Sequence, residues 1–296
     1  MTIDTTEFPQ RRAERVRVGD VTLEVTDWGG HRSDDCIVLA HPTGFLGAVW
    51  KPLLRRLRGL GVTSRLITYD QRGHGLSSKP DRDYEWQNFV DDTLGIFQHL
   101  GIRDALGVGH SAGATTLAGV AAADSTLLRR LVMVDPVLLS ADLVPIIEEA
   151  EDNPMAARTR TRRMVWPSRE ALFLSYRRRD PYVSWTEEAL RDYVDEGTFE
   201  RPDGEIELLC PARAEASVYS NAHRFGAYER LAQVRAPVLV LRGEHSTTLD
   251  ERRATMAVDA LPNGRLVTVA GTTHFIPMER PDEVARLVVA ELRAQA

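Results

Sequence analysis

Several things are scarce in this chain, and each scarcity removes a class of function. It has two cysteines, Cys36 and Cys210, far apart and outside any ligand-like cluster. Such spacing supplies neither a disulfide framework nor a metal-ligand set, so buried thiols in a reducing cytoplasm are expected. No apolar run reaches the roughly 20 residues that a bilayer-spanning helix needs, so no membrane association is expected. Positive charge is not in excess: 37 Lys and Arg face 43 Asp and Glu, a net charge of −6. That balance weighs against nucleic acid as a partner. The first residues, Met1 to Glu7, carry acids and no apolar core, so no secretory signal is expected. There is no internal repeat and no low-complexity tract.

What remains is 296 residues of ordinary globular composition, 43% hydrophobic and 27% charged, enough for one large α/β domain or two smaller ones. Arg15–Val18 and Val21–Val25 alternate around Gly19-Asp20, the pattern of a β-hairpin. Five short apolar runs of the kind buried on both faces follow: Cys36–Ala40, Arg65–Tyr69, Ala105–Val108, Leu131–Val134 and Pro237–Leu241. Arg265–Val269 reads as the last strand. Between them lie helical patterns over Val49–Leu60, Tyr84–Leu100, Ala114–Ala121 and Asp250–Ala260, with Glu283–Arg293 closing the chain. This rhythm predicts a mostly parallel central sheet flanked by helices, and its lapse between Val137 and Ala227 predicts an inserted helical cap. The expected division is a core of 1–136 and 228–296 with a cap of 137–227.

The strand ending at Val108 runs into Gly109-His110-Ser111-Ala112-Gly113 and then a small-residue helix. A serine between two glycines at a strand–helix junction is the pattern of a sharp elbow that exposes a nucleophilic hydroxyl. Three further loops end strands in the same way. They are His41-Pro42-Thr43-Gly44-Phe45, then Asp70 to Ser77 with Arg72-Gly73-His74-Gly75 inside it, and Gly271-Thr272-Thr273-His274-Phe275. With these four motifs in this order the chain resembles the α/β-hydrolase-fold superfamily, and specifically its serine hydrolases with a helical cap. The resemblance spans nearly the whole length.

That resemblance implies roles. Ser111 is the expected nucleophile and, because a serine hydroxyl is scarcely ionised at neutral pH, needs an adjacent base; His274 is in the matching late position. The acid is open between two candidates. The loop after Leu241 reads Gly243-Glu244-His245-Ser246 with no aspartate where many relatives carry one, so Asp135 is taken first and Glu244 second. The oxyanion hole is expected from the amides of Ala112 and Thr43, since Pro42 has no N–H. His41, Asp70, Arg72 and His74 are expected to be structural.

Eight arginines crowd the stretch from Ala156 to Asp180. An electropositive lid is one reading; a solvated face paired with Glu148, Glu149, Glu151, Glu187, Glu188, Asp192, Asp195 and Glu196 is the preferred one. Phe45 and Trp166 are the expected substrate-binding residues. The expectation is a cytoplasmic, cofactor-free and metal-free serine hydrolase of a small carboxylic ester or lactone, working through an acyl-enzyme. The homodimer is left open. A thioester or carbon–carbon bond hydrolase with the same residues, a ligand receptor that lost turnover and a scaffold are the alternatives.

Overall fold

The computed structural model describes residues 8–82, 84–139 and 153–294, apart from the side chains of 32–34. The expectation about Met1–Glu7 and the acids Glu148, Glu149 and Glu151 fall outside the described residues. The hairpin forms first: β1 (Arg12–Val18) and β2 (Val21–Asp27) pair antiparallel, with Val18 opposite Val21 across the turn. Then come β3 (His31–Ala40), α1 (Lys51–Gly59), β4 (Ser64–Tyr69), α2 (Trp86–Leu100), β5 (Ala105–His110), α3 (Ala112–Ala123) and β6 (Leu128–Val134).

After the interruption the order is β10 (Val238–Gly243), α8 (Glu251–Ala260), β11 (Gly264–Val269), α9 (Ile276–Glu279) and α10 (Pro281–Arg293). The sheet has eight strands in the order β1-β2-β4-β3-β5-β6-β10-β11. Every pairing from β4 to β11 is parallel; only those made by β2 are antiparallel. This is the α/β fold expected, a mostly parallel sheet flanked by helices.

Apolar runs make sense in a sheet covered twice. Val38 and Ala40 join one cluster with Phe89 and Val90 of α2 and Leu117 of α3. Ile37 and Leu39 face the other way, onto Leu53, Leu54 and Leu57 of α1 and Val284 and Val288 of α10. Because side chains alternate, a strand sandwiched between helix layers must be apolar at every position. No helix among the described residues is long and apolar enough to cross a membrane.

The interval between β6 and β10 contributes α4 (Pro154–Arg160), α5 (Arg169–Tyr176), α6 (Glu187–Glu196) and α7 (Ala212–Asn221). It also holds a small antiparallel sheet, β7 (Val165–Trp166), β9 (Ile206–Leu208) and β8 (Thr198–Glu200), in that order. Strands of two or three residues are too short to show a period of two, which is why the sequence reads as helical here. Charge fastens the interval to the core: Asp192 of α6 accepts from Arg55 of α1 at 2.5 and 3.0 Å and meets Lys51 at 3.3 Å. Glu188 takes Arg55 and Arg56, and Glu196 takes Lys51 and Arg11.

Candidate active site

Parallel strands deliver their C-terminal ends to one edge, and the loops there hold the chemically able residues. Ser111 lies between β5 and α3 with φ 55° and ψ −122°, a backbone region that a non-glycine residue rarely occupies. The turn is held by close packing. A methyl on Gly109 would stand 2.4 Å from the α-carbon of Ala114, and one on Gly113 would stand 2.3 Å from the Ala40 carbonyl oxygen. Neither position tolerates a side chain, so the two glycines are a packing requirement of the elbow. The Ser111 amide donates to Val134 O at 3.0 Å, tying the elbow to the end of β6.

Asp135 is the next residue after Val134 and is fully buried. Its φ is 44°, a second strained non-glycine position at this edge. Its Oδ1 accepts from His274 Nδ1 at 2.7 Å and from Ser246 Oγ at 2.7 Å, and its Oδ2 accepts from the Gly243 amide at 3.0 Å. Its own amide donates to Leu241 O at 2.7 Å. A carboxylate bonded to Nδ1–H leaves the imidazole with a free Nε2 lone pair, the tautomer a base requires. Glu244 is elsewhere: it accepts from the Gly271 amide at 2.8 Å and is half exposed beside His245. Of the two acids considered, the one in contact with His274 is Asp135.

His110 supports the other side of His274. Its Nε2–H donates to the His274 carbonyl at 2.8 Å, and the two rings lie 4.8 Å apart. Burial, reinforced by the neighbouring imidazole, holds His110 neutral and well below the ordinary histidine range.

The Thr43 loop is gripped from beneath. His74 Nε2 accepts from the Gly44 amide at 3.0 Å, and Asp70 Oδ1 accepts from the Gly47 amide at 2.7 Å. His41 accepts from the Gln71 amide at 3.0 Å through Nε2 and donates from Nδ1 to Pro42 O at 2.8 Å. Burial lowers the pKa of His74 to about 4 and raises that of Asp70 to about 6. Arg72 turns away to a bidentate pair with Asp92 of α2, at 2.7 and 2.8 Å. His41, Asp70 and His74 therefore hold backbone, and Arg72 ties their loop to α2. Neither the Thr43 nor the Ala112 amide has a protein acceptor among the described residues. Ala112 begins α3, so its N–H also stands at the positive end of a helix.

Over this edge lies an aromatic roof. Phe45 touches Tyr193 at 4.9 Å, Trp185 at 5.5 Å and Phe275 at 5.9 Å between ring centroids. Phe275 in turn meets the His274 ring at 5.0 Å. Trp166 is one layer further out: it packs on Tyr176 at 5.7 Å, and Tyr176 leads to Tyr193. Phe45 thus borders the reactive edge directly, whereas Trp166 reaches it through the tyrosines. Among the described residues no group of three His, Cys, Asp or Glu is arranged to hold a metal ion.

The arginine-rich stretch divides. Arg177 pairs with Glu187 on the surface, as a solvated face would. Arg162 departs from that reading: it lies largely buried, 2.5 Å from Glu215, and donates to Cys210 O at 2.8 Å. Nothing local distinguishes it from its seven neighbours, because its partner is contributed by α7. Ser246 is given no role by the sequence reading; a hydroxyl just beyond the end of β10 is the available signal for it.

Comparisons with known proteins place the fold and the family. A model of the alpha/beta hydrolase family matches residues 37–287. A 2-(acetamidomethylene)succinate hydrolase of Mesorhizobium japonicum is 28% identical over 270 residues, covering 91% of each chain. The crystal structure of an E-2-(acetamidomethylene)succinate hydrolase superposes with a TM-score of 0.81 at 26% identity, over 96% of this chain and 100% of that one. An enol-lactonase from Burkholderia xenovorans has the same fold, with a TM-score of 0.72 at 22% identity over 95% of this chain and 100% of that one.

Proposed function

The chain belongs to the alpha/beta hydrolase family, and from that premise we propose that it is a serine hydrolase of a small carboxylic ester or lactone. One observation carries the reading. The hydroxyl-bearing residue at the strained elbow and an imidazole bonded at 2.7 Å to a buried carboxylate leave the same sheet edge. Ser111 Oγ attacks the substrate carbonyl carbon while His274 Nε2 takes its proton. Asp135 holds the ring and stabilises the imidazolium that results. The oxyanion is met by the amides of Thr43 and Ala112, both without a protein acceptor among the described residues. His274 returns the proton to the departing alkoxide, leaving an acyl-enzyme. Water then attacks the acyl carbon, with its proton passing to His274 and on to Ser111 Oγ as the acid leaves. Residues 137–227 serve as the cap, with Phe45 lining the acyl site and Trp166 behind it. We assign the reaction to the cytoplasm.

A second reading has a specific support. The relative covering 91% of the chain is named for an acetamido-substituted dicarboxylate, so an amide of an acidic compound belongs in the same substrate panel.

The test is a rapid-mix assay with an activated short-chain ester, alongside a fluorophosphonate label and a panel of esters, lactones, thioesters and amides. Wild type is expected to release a burst approaching one chromophore per chain and to carry the label on Ser111. Ser111→Ala is expected to lose the burst, the label and roughly 10⁶-fold in turnover. Tight ligand binding with neither burst nor label would mean a receptor, and unchanged turnover in Ser111→Ala would mean that another group does the chemistry.

A further inference from the structure

Glu215 has no part in the chemistry described so far, yet it reaches the Thr43 loop. A methyl on Gly44 would stand 2.6 Å from Glu215 Oε1 and 2.8 Å from its carboxyl carbon. The carboxylate therefore rests directly on the Gly44 backbone, and φ at Gly44 is 86°. The same glycine donates its amide to His74 below, at 3.0 Å. Gly44 is thus held between a core histidine on one side and a carboxylate of the inserted segment on the other. Thr43 immediately precedes it and is itself 5% exposed.

A buried carboxylate is costly unless paired, and this one is anchored twice. Arg162 Nη1 lies 2.5 Å from Glu215 Oε2, and the Tyr219 hydroxyl donates to Oε1 at 3.3 Å. The guanidinium is fixed in turn by its bond to Cys210 O. Asn153 caps α4 and donates to Tyr219 O at 3.0 Å, so α4, which leads into Arg162, and α7, which carries Glu215, are bonded to each other. Arg162 comes from the loop after α4 and Glu215 from α7; both lie in the inserted segment.

We infer that Glu215 is a positioning residue: through its side chain's contact with Gly44 the inserted segment presses on that glycine and fixes the Thr43 amide for oxyanion binding. The inference rests on the hydrolase reading above. A displacement of that amide by an ångström weakens its bond to the developing oxyanion far more than it weakens ground-state binding, so the effect belongs in kcat and in acylation rate. Contact with Gly44 and charge on Glu215 can be separated, because glutamine keeps the contact without the charge.

The experiment compares R162M/E215Q with R162M/E215A, neither of which leaves an unpaired buried charge. Fluorophosphonate labelling of Ser111, kcat, KM and thermal midpoint are measured on each. R162M/E215Q is expected to keep labelling rate and kcat within about threefold of wild type. R162M/E215A is expected to lose about ten- to a hundredfold in both, with KM little changed. G44A, which drives a methyl into the carboxylate, is expected to show the same loss. If R162M/E215A labels and turns over as fast as R162M/E215Q, the inference fails while the hydrolase reading stands. Losses that follow the thermal midpoint through all variants also overturn it, since a purely structural pair would behave so. If wild type itself takes no label at Ser111, the hydrolase reading fails, and the inference falls with it.

Discussion

Asp135 shows how a single side chain is fixed for one orientation. Its two oxygens receive His274, Ser246 and Gly243, and its backbone bonds to Leu241 across the sheet. The contacts come from two separate stretches, the end of β10 with its following loop and the His274 loop, so a local rotation of the carboxylate would break several bonds at once. Asparagine in its place preserves shape but presents an amide N–H or a weaker acceptor to Nδ1, which disfavours the required tautomer. Asp135→Asn is therefore expected to lose roughly 10³- to 10⁴-fold in kcat with the fold intact, as read by steady-state assay and circular dichroism. Ser246→Ala removes one donor and leaves the Gly243 amide, so only a three- to tenfold loss is expected, about 1 kcal/mol in the barrier. Near-normal rates in Asp135→Asn would take that residue out of the mechanism.

Among the elements, α2 and the loop after β4 illustrate a buried ion pair that serves the site without entering it. Arg72 and Asp92 are 6% and 4% exposed and bond bidentately, which ties α2 to the loop whose Asp70 and His74 hold Gly47 and Gly44. Removing one partner leaves the other charge buried and unpaired. Asp92→Ala is expected to cost about 3–5 kcal/mol, seen as a lower urea midpoint with an unchanged slope. The pairs between α6 and α1 are more exposed, with Arg55 and Glu188 at 24% and 31%, and contribute less individually. Their place is nonetheless informative: three of the acids set beside the arginine run in the sequence, Glu188, Asp192 and Glu196, bind Arg11, Lys51, Arg55 and Arg56 of the core instead.

For the molecule as a whole, the buried histidines set a dependence on pH. The pKa of His74 is about 4 in the folded chain because burial disfavours the imidazolium, whereas an unfolded histidine titrates near 6.5. Above pH 6.5 neither state binds this proton, and its contribution is constant. Between about 6.5 and 4 the unfolded state binds it and the folded state does not, so stability falls as pH falls. His74→Gln cannot take up that proton. The stability difference between wild type and His74→Gln is expected to shift toward the variant by about 1.4 kcal/mol per pH unit across that window. Urea unfolding at several pH values checks it, and a flat difference would mean that His74 charges without penalty. Asp70, raised to about 6, acts in the opposite sense, which is why the comparison is made against a variant.

The order of strands and helices and the elbow at Ser111 follow from the sequence alone, because each depends on local periodicity or on a glycine that nothing larger can replace; the late histidine is singled out by the resemblance to the family. The approach of Asp135 rather than Glu244 to His274 was decided only when β6 and β10 were set side by side, with Gly243 and Ser246 donating across the gap. The fate of Arg162 was decided in the same way. An arginine among seven others becomes a buried ion partner only when α7 brings Glu215 to it, and charge pairing between distant segments leaves no period in the chain to read.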